Sequence, residues 1–451
     1  MKTVNVSAVL DEGRWTGYQK LLILGTALTI ILDGVDNQLL PNALPRLMEE
    51  WKLPRGAFNQ ALSAGPFGMM LGGVLGGVLG DRIGRRTTLL WSVITFGVIT
   101  LAIARVETMT MLTALRFIAG IGLGGAMPNA AALASEYVPR RQRPFAVTLT
   151  IVCIPLGGVV AAAMAGQIIP KFGWQPLFLA GGVVPLVLGV LLFFVLPESP
   201  RYLAGHRTRW EELTKMLRRM GHDVPPDVSY VEREAAGGAK PRASIGEIFA
   251  PAYLRDTVAL FAAFFFCLMV NYFAILLIPA VFRGAGFEQA DANLVLQLFN
   301  WGGVAGAILG ALVIQQLGSR FAMVGMSIIA IGTSLALAGM TIEAPASLLL
   351  MTFMIVTGAL LNGVQTTMYA LAAHVYPTEI RGTGVGAAVA FGRIGNVLAA
   401  PVANGALDRG GNPAYFGAWA VTMGIVTLAL SAMKRHIPRS RDLEAPAGAK
   451  T

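Results

Sequence analysis

Residues 21–45 read LLILGTALTIILDGVDNQLLPNALP, an apolar run that continues into a segment holding two aspartates, Asp33 and Asp36. Whether that run lies in water or in lipid decides the fold. The chain has 451 residues, 55% of them hydrophobic and 13% charged, against about 25% charged in an average soluble domain. Its mean hydropathy is +0.63. Stretches long enough to cross a hydrocarbon core of roughly 30 Å recur throughout. The sequence predicts twelve spans, at 20–42, 58–80, 88–105, 109–135, 146–169, 175–196, 255–281, 292–316, 321–341, 347–373, 384–407 and 414–436. The expected fold class is therefore an all-α membrane protein. A carboxylate inside a span costs about 2.5 to 3.5 kcal/mol on insertion scales, so two of them three residues apart need a reason.

Topology follows from the basic residues. A polar stretch with Asp11, Glu12 and Arg14 precedes the first span, which is longer than a signal-peptide core, so no cleavable signal is expected. With both termini in the cytoplasm, most of the 35 lysines and arginines fall on the cytoplasmic side. The short loops are nearly balanced, and the tails and the central loop carry the bias. The net charge of +10 reads as topology and contact with anionic lipid rather than nucleic-acid binding. Cys153 and Cys267 lie within spans, where core packing is the expectation. Residues 201–250 are polar and basic and part six spans from six. Within them, Trp210–Met220 suits either a short amphipathic helix at the membrane surface or a solvated face. The expected division is an N-terminal bundle 1–196, a cytoplasmic linker 197–250, a C-terminal bundle 251–438 and a tail 439–451.

The two halves repeat. At one constant offset Asn37 falls on Asn271, Pro45 on Pro279, and Gly68, Gly72, Gly76 and Gly84 on Gly302, Gly306, Gly310 and Gly318. At a slightly larger one Gly120 falls on Gly358, Pro139 on Pro377, Arg143 on Arg381 and Gly157 on Gly395. Twelve helices in two pseudo-symmetric six-helix bundles follow, the layout of transporters that rock about a midplane site. The glycines spaced by four share a helix face and let two backbones approach closely, which serves tight packing and a sliding interface equally.

Four ionisable groups lie well inside spans: Asp33, Asp36, Arg116 and Arg393. Each needs a partner or a water-lined cavity. The two aspartates share one helix face. Arg116 of span 4 is placed to hold one of them, leaving the other to take up a proton. A purely structural ion pair is the alternative. Arg393, with no evident acid in its own half, suits a substrate carboxylate through two parallel hydrogen bonds, or else a structural partner. Asn37 and Asn271, related by the repeat, are candidate substrate contacts. Tyr272, Trp301, Tyr369 and Phe391 are candidate ring contacts whose alternative is packing. Glu136 and His374 occupy equivalent cytoplasmic ends of spans 4 and 10, suited to gating. No nucleophile triad, metal cluster or phosphate-binding loop stands out, so neither enzyme chemistry nor a cofactor beyond the proton gradient is expected.

GVLGDRIGRRTTL at 77–89 resembles the signature loop of the major facilitator superfamily, matched at Gly77, Leu79, Asp81, Arg82, Gly84, Arg85 and Arg86. In physical terms Asp81 is a breakable lock that holds an arginine and neighbouring helix ends while the cytoplasmic side is closed. In the second half ALVIQQLGSR at 311–320 has Gln315 instead, so a weaker lock is expected there. SEYVPRRQR at 135–143, HVYPTEIR at 374–381 and PESPRYL at 197–203 are similar to the superfamily's other loops, and Arg143 and Arg381 join the gating set. Asp33-Gly34-Val35-Asp36, with Arg381 and Arg393, resembles the aromatic acid:proton symporter family, although Val35 stands where an aromatic residue is usual and Pro41 where a small one is common. The resemblance implies a monomeric carrier in the bacterial inner membrane that imports a small organic acid, expected to be an aromatic carboxylate, with protons by alternating access. An organic-cation or drug antiporter, which favours acidic binding residues, and a non-transporting membrane sensor are the alternatives.

Overall fold

In lipid every backbone amide must be satisfied within the chain, and helices do this segment by segment. The computed structural model describes residues 2–13, 15–222, 224, 228–231, 245–377 and 380–439. Its helices are α1 (Val6–Glu12), α2 (Gly17–Trp51), α3 (Asn59–Ile83), α4 (Arg85–Ile103), α5 (Met109–Tyr137), α6 (Arg143–Phe172), α7 (Gln175–Val195), α8 (Pro200–Ala204), α9 (Trp210–Arg219), α10 (Leu254–Gly284), α11 (Gln289–Gly339), α12 (Leu348–Val375) and α13 (Arg381–Ala432). Ten are long and apolar enough to cross a membrane. Two of these, α11 and α13, have 51 and 52 residues and break at non-helical glycines, Gly318 in one and Gly410 and Gly411 in the other. Each supplies two crossings, so the twelve expected spans are all present. Helix starts follow local chemistry: Thr108 accepts from the Met111 amide to cap α5, and Ser347 accepts from Leu350 to cap α12.

Contacts divide the chain into two compact units, each described separately. The first holds residues 1–36, 68–157 and 178–242. There α3 meets α5 backbone to backbone: a Cβ on Gly72 would come within 2.1 Å of the Ile121 carbonyl oxygen. Its apolar core runs from Leu22, Val93, Phe96 and Leu133 into the linker residues Leu213, Met216, Leu217 and Tyr230. The linker residues 203–220 and 228–231 are thus folded onto the unit. Helix α9 forms where the amphipathic pattern lay, but Leu213, Met216 and Leu217 face protein rather than lipid. A two-stranded parallel sheet, β1 (Lys2–Asn5) with β2 (Val228–Val231), ties the N-terminal segment to the linker, Lys2 opposite Val228 and Asn5 opposite Val231. No local signal predicts a pairing across such a sequence separation.

The second unit holds residues 37–67, 158–177 and 243–451, and so takes two segments from the first half of the sequence. Here α11 packs on α12 as α3 packs on α5, since a Cβ on Gly306 would lie 1.9 Å from the Ala359 carbonyl oxygen. The repeat in the sequence is a repeat in the packing. Segment 37–67 is tied to α10 and α13 by Glu49 with Arg283 at 2.8 Å and by Arg55 with Asn404 at 2.6 Å and Asp408 at 2.5 Å. Asn59 accepts a further bond from Asn404.

Candidate functional site

Asp33 and Asp36 of α2 are both buried in the first unit, as is Arg116 of α5. Arg116 reaches Asp36: its Nη1 is 3.4 Å from Asp36 Oδ2 and 3.3 Å from the Asp36 carbonyl oxygen. Thr100 of α4 donates its hydroxyl to Asp36 Oδ1. Beside them Gly34 is required by close approach, because a Cβ there would lie 2.4 Å from the Ile154 carbonyl oxygen of α6. The pair occupies a chemically ambivalent setting. Arg116 favours a charged carboxylate, whereas a threonine hydroxyl can donate to a carboxylate or accept from a carboxylic acid, so Asp36 keeps a partner in either state.

The next residues of the same helix belong to the second unit and carry amides. Asn37 Nδ2 donates to Tyr272 Oη at 2.9 Å. Gln38 and Asn300 of α11 exchange two hydrogen bonds, at 3.2 and 2.9 Å, and both are buried. Gly158 closes over this amide clasp, since a Cβ there would lie 2.2 Å from Gln38 Nε2. Asn271 donates to the Cys267 carbonyl oxygen at 3.0 Å, while its buried Oδ1 has no hydrogen-bond partner among the described residues. Tyr369 lies within electrostatic reach of Arg393 and meets Phe264 edge-on at 5.4 Å between ring centres. Tyr272 is therefore joined to a polar group. Trp301 is half-exposed on α11. Phe391 stacks on Phe261 at 5.4 Å and lines an apolar cavity of about 410 Å³ with Phe249, Phe265 and Phe266.

The signature loop lies in the first unit. Gly84, at φ +103°, separates α3 from α4, a backbone state that glycine alone adopts readily. Asp81 is 71% exposed and faces Arg85 at 3.5 Å. Arg85 also meets the buried Glu136 at 3.3 Å, and Glu136 in turn accepts from the Ser199 hydroxyl. Glu198 accepts from the Arg86 and Thr87 amides at 2.8 and 3.4 Å, a carboxylate at a helix N-terminus. Asp81 thus holds Arg85 from an exposed position, and Glu136 and Glu198 are the buried carboxylates beside it. Arg82, His374 and Arg381 are exposed. Arg143 bonds the Ser135 carbonyl oxygen at 3.2 Å and pairs with Asp11 of α1.

Sequence reasoning overlooked Gln38, Asn300, Thr100 and Glu198. Gln38 and Asn300 carried the same signal as Asn37, a polar side chain inside a span. Glu198 lies in PESPRYL, whose sequence marks a loop and not a helix cap. A threonine inside a span has no such signal, because it can satisfy itself on its own helix.

A family model described as Major Facilitator Superfamily matches residues 26–338 and 259–450. The 4-hydroxybenzoate transporter PcaK of Acinetobacter baylyi is 31% identical over 95% of this chain and 92% of its own length. A gallate transporter of Pseudomonas putida is 30% identical, covering 92% and 91%, and a benzoate transport protein of Acinetobacter baylyi is 30% identical, covering 95% and 93%. The partially occluded inward-open structure of the xylose transporter XylE from E. coli superposes with a TM-score of 0.71 at 18% identity, over 92% of this chain and 97% of that one. That likeness speaks to fold alone.

Proposed function

We propose that this chain, which belongs to the Major Facilitator Superfamily, is a symporter that carries an aromatic carboxylate into the cell together with a proton. The substrate class rests on relatives that carry hydroxybenzoate, gallate and benzoate and match nearly the whole chain. The coupling rests on one observation, the buried Asp36–Arg116 pair with Thr100 beside it. A proton on Asp36 removes the charge that holds Arg116, while Thr100 turns from donor to acceptor. Helix α2 then loses an anchor immediately before Asn37 and Gln38, which hold α10 and α11. Arg393, in reach of Tyr369, binds the carboxylate, and its planar fork suits two parallel bonds. Asp33, one turn away, adds a second titratable carboxyl to the same helix. Both termini face the cytoplasm, the carrier sits in the inner membrane as a monomer, and the proton gradient is its energy source.

The test is uptake of labelled 4-hydroxybenzoate, benzoate and gallate into proteoliposomes under an imposed pH gradient. Accumulation when the outside is acidic, abolished by a protonophore, is the expected result. Accumulation indifferent to the gradient refutes coupling. Uptake of organic cations driven by an acidic interior indicates an antiporter instead.

A further inference from the structure

The linker helix α9 is docked by its apolar face, which leaves a basic face that the transport reading does not use. Where α7 ends, a cavity of about 250 Å³ opens in the first unit, lined by Arg86, Phe193, Phe194, Glu212, Lys215 and Arg219 among others. Its walls combine two chemistries. Arg86 donates to the Phe193 carbonyl oxygen at 2.5 Å, its guanidinium lies 5.1 Å from the Phe193 ring centre, and its buried Nε has no hydrogen-bond partner among the described residues. Arg219 is exposed and makes no ion pair among the described residues. Lys215 meets Glu211 at 2.6 Å in a fully solvated pair, which screening weakens. The one acid in the lining, Glu212, is already held by two bonds from Arg209, at 3.0 and 2.8 Å. The cavity is therefore positive. Next to these cations Phe193 and Phe194 are 57% and 80% exposed, and Val195 is exposed too. A soluble anion gains nothing from bare phenylalanines, whereas an amphiphile with an anionic head and acyl chains matches both walls.

We propose that this cavity binds an anionic phospholipid of the cytoplasmic leaflet, its phosphate held by Arg219, Lys215 and Arg86 and its chains lying along Phe193 and Phe194. The placement rests on the cytoplasmic orientation given above. Binding is read in detergent, where neither transport nor sidedness enters, so failure of one reading leaves the other standing.

The experiment titrates purified full-length protein with phosphatidylglycerol or phosphatidylcholine and counts bound lipid by native mass spectrometry. Wild type should retain phosphatidylglycerol in preference to phosphatidylcholine. A basic residue near an anionic surface is worth about 1 kcal/mol, so Arg219→Gln and Lys215→Gln should each weaken phosphatidylglycerol about fivefold. Phosphatidylcholine binding should not change, and Arg409→Gln, a charge removed from an exposed position of α13 beside its break at Gly410, should change nothing. Equal retention of the two lipids by wild type overturns the proposal, as does an equal loss in Arg409→Gln or no loss in Arg219→Gln. Displacement of the lipid by an equal concentration of inorganic phosphate marks a soluble-anion site and overturns it as well.

Discussion

Replacing Arg116 by alanine tests the central pair directly. At 3.4 Å, and with an effective dielectric constant of about 20, the attraction between the charges is about 5 kcal/mol before desolvation is subtracted. Removing one partner of a buried pair leaves the other charge uncompensated, and the observed cost is about 3 to 5 kcal/mol. Arg116→Ala should therefore lose stability on that scale, because among the described residues Asp36 keeps only the Thr100 hydroxyl as a side-chain partner. Asp36→Asn removes the stranded charge, retains the shape and still accepts from Thr100. The double variant should recover most of the loss, with a coupling of about 2 to 3 kcal/mol. Equilibrium unfolding of the four proteins in mixed micelles of detergent and dodecyl sulfate gives the cycle. The same preparations in proteoliposomes give the function: Asp36→Asn should exchange labelled acid across the membrane but fail to accumulate it against a gradient. If Arg116→Ala and the double variant unfold together, the arginine contributes packing alone. Accumulation by Asp36→Asn at the wild-type level would remove Asp36 from coupling, and Asp33→Asn would then be the informative variant.

Arg393→Lys keeps the charge but not the planar fork, so an aromatic acid should bind it more weakly than wild type; Arg393→Ala should lose about 2 to 5 kcal/mol, while the amide of the same acid should not distinguish wild type from Arg393→Ala. Calorimetric titration of acid and amide reads this, and undiminished binding of the acid to Arg393→Ala would make the arginine structural. In the signature loop, Glu136→Gln should destabilise by about 1.5 to 3 kcal/mol, the range for a hydrogen bond to a charged group. Asp81→Asn should cost under about 1 kcal/mol, because that pair is exposed; the reverse order in thermal unfolding would make Asp81 the stronger tie of the loop. His222 packs against Gly13, and burial holds its pKa below the ordinary histidine value, so the folded linker favours the neutral ring. Its contribution is present above the unfolded pKa of about 6.5 and is lost as pH falls through the lower folded value. Hydrogen-exchange protection of β1 and β2 should drop in that acidic window, and His222→Gln should flatten the dependence.

The crossings were legible because lipid leaves the chain few alternatives. Any stretch that enters the hydrocarbon must satisfy its own amides, so hydropathy alone locates it. The glycine spacing was equally legible, since Gly72 and Gly306 occupy matching positions and both meet a neighbouring backbone too closely for a side chain. The association of segments 37–67 and 158–177 with the second half was not. It depends on which ends of the helices meet, and the bonds that record it, Glu49 with Arg283 and Arg55 with Asp408, join residues with no sequence pattern in common. The sheet between β1 and β2 was hidden for the same reason.

Among the candidate site residues, the ionisable ones were readable in kind but not in pairing. A charge inside a span announces itself by its cost, and so Asp33, Asp36, Arg116 and Arg393 stood out at once. Which aspartate meets Arg116 depends on the rotation of α2 against α5, and a one-residue change in that rotation is invisible in composition. Neutral partners are harder still, because the price of an amide in a span is small enough to pass for packing. Yet Gln38 and Asn300 exchange two hydrogen bonds, and Gly158 is kept bare to admit them. That clasp carries no charge and cannot respond to a proton, whereas Asp36, two residues earlier, can. A single helix thus carries a carboxyl two residues before a contact that holds no charge.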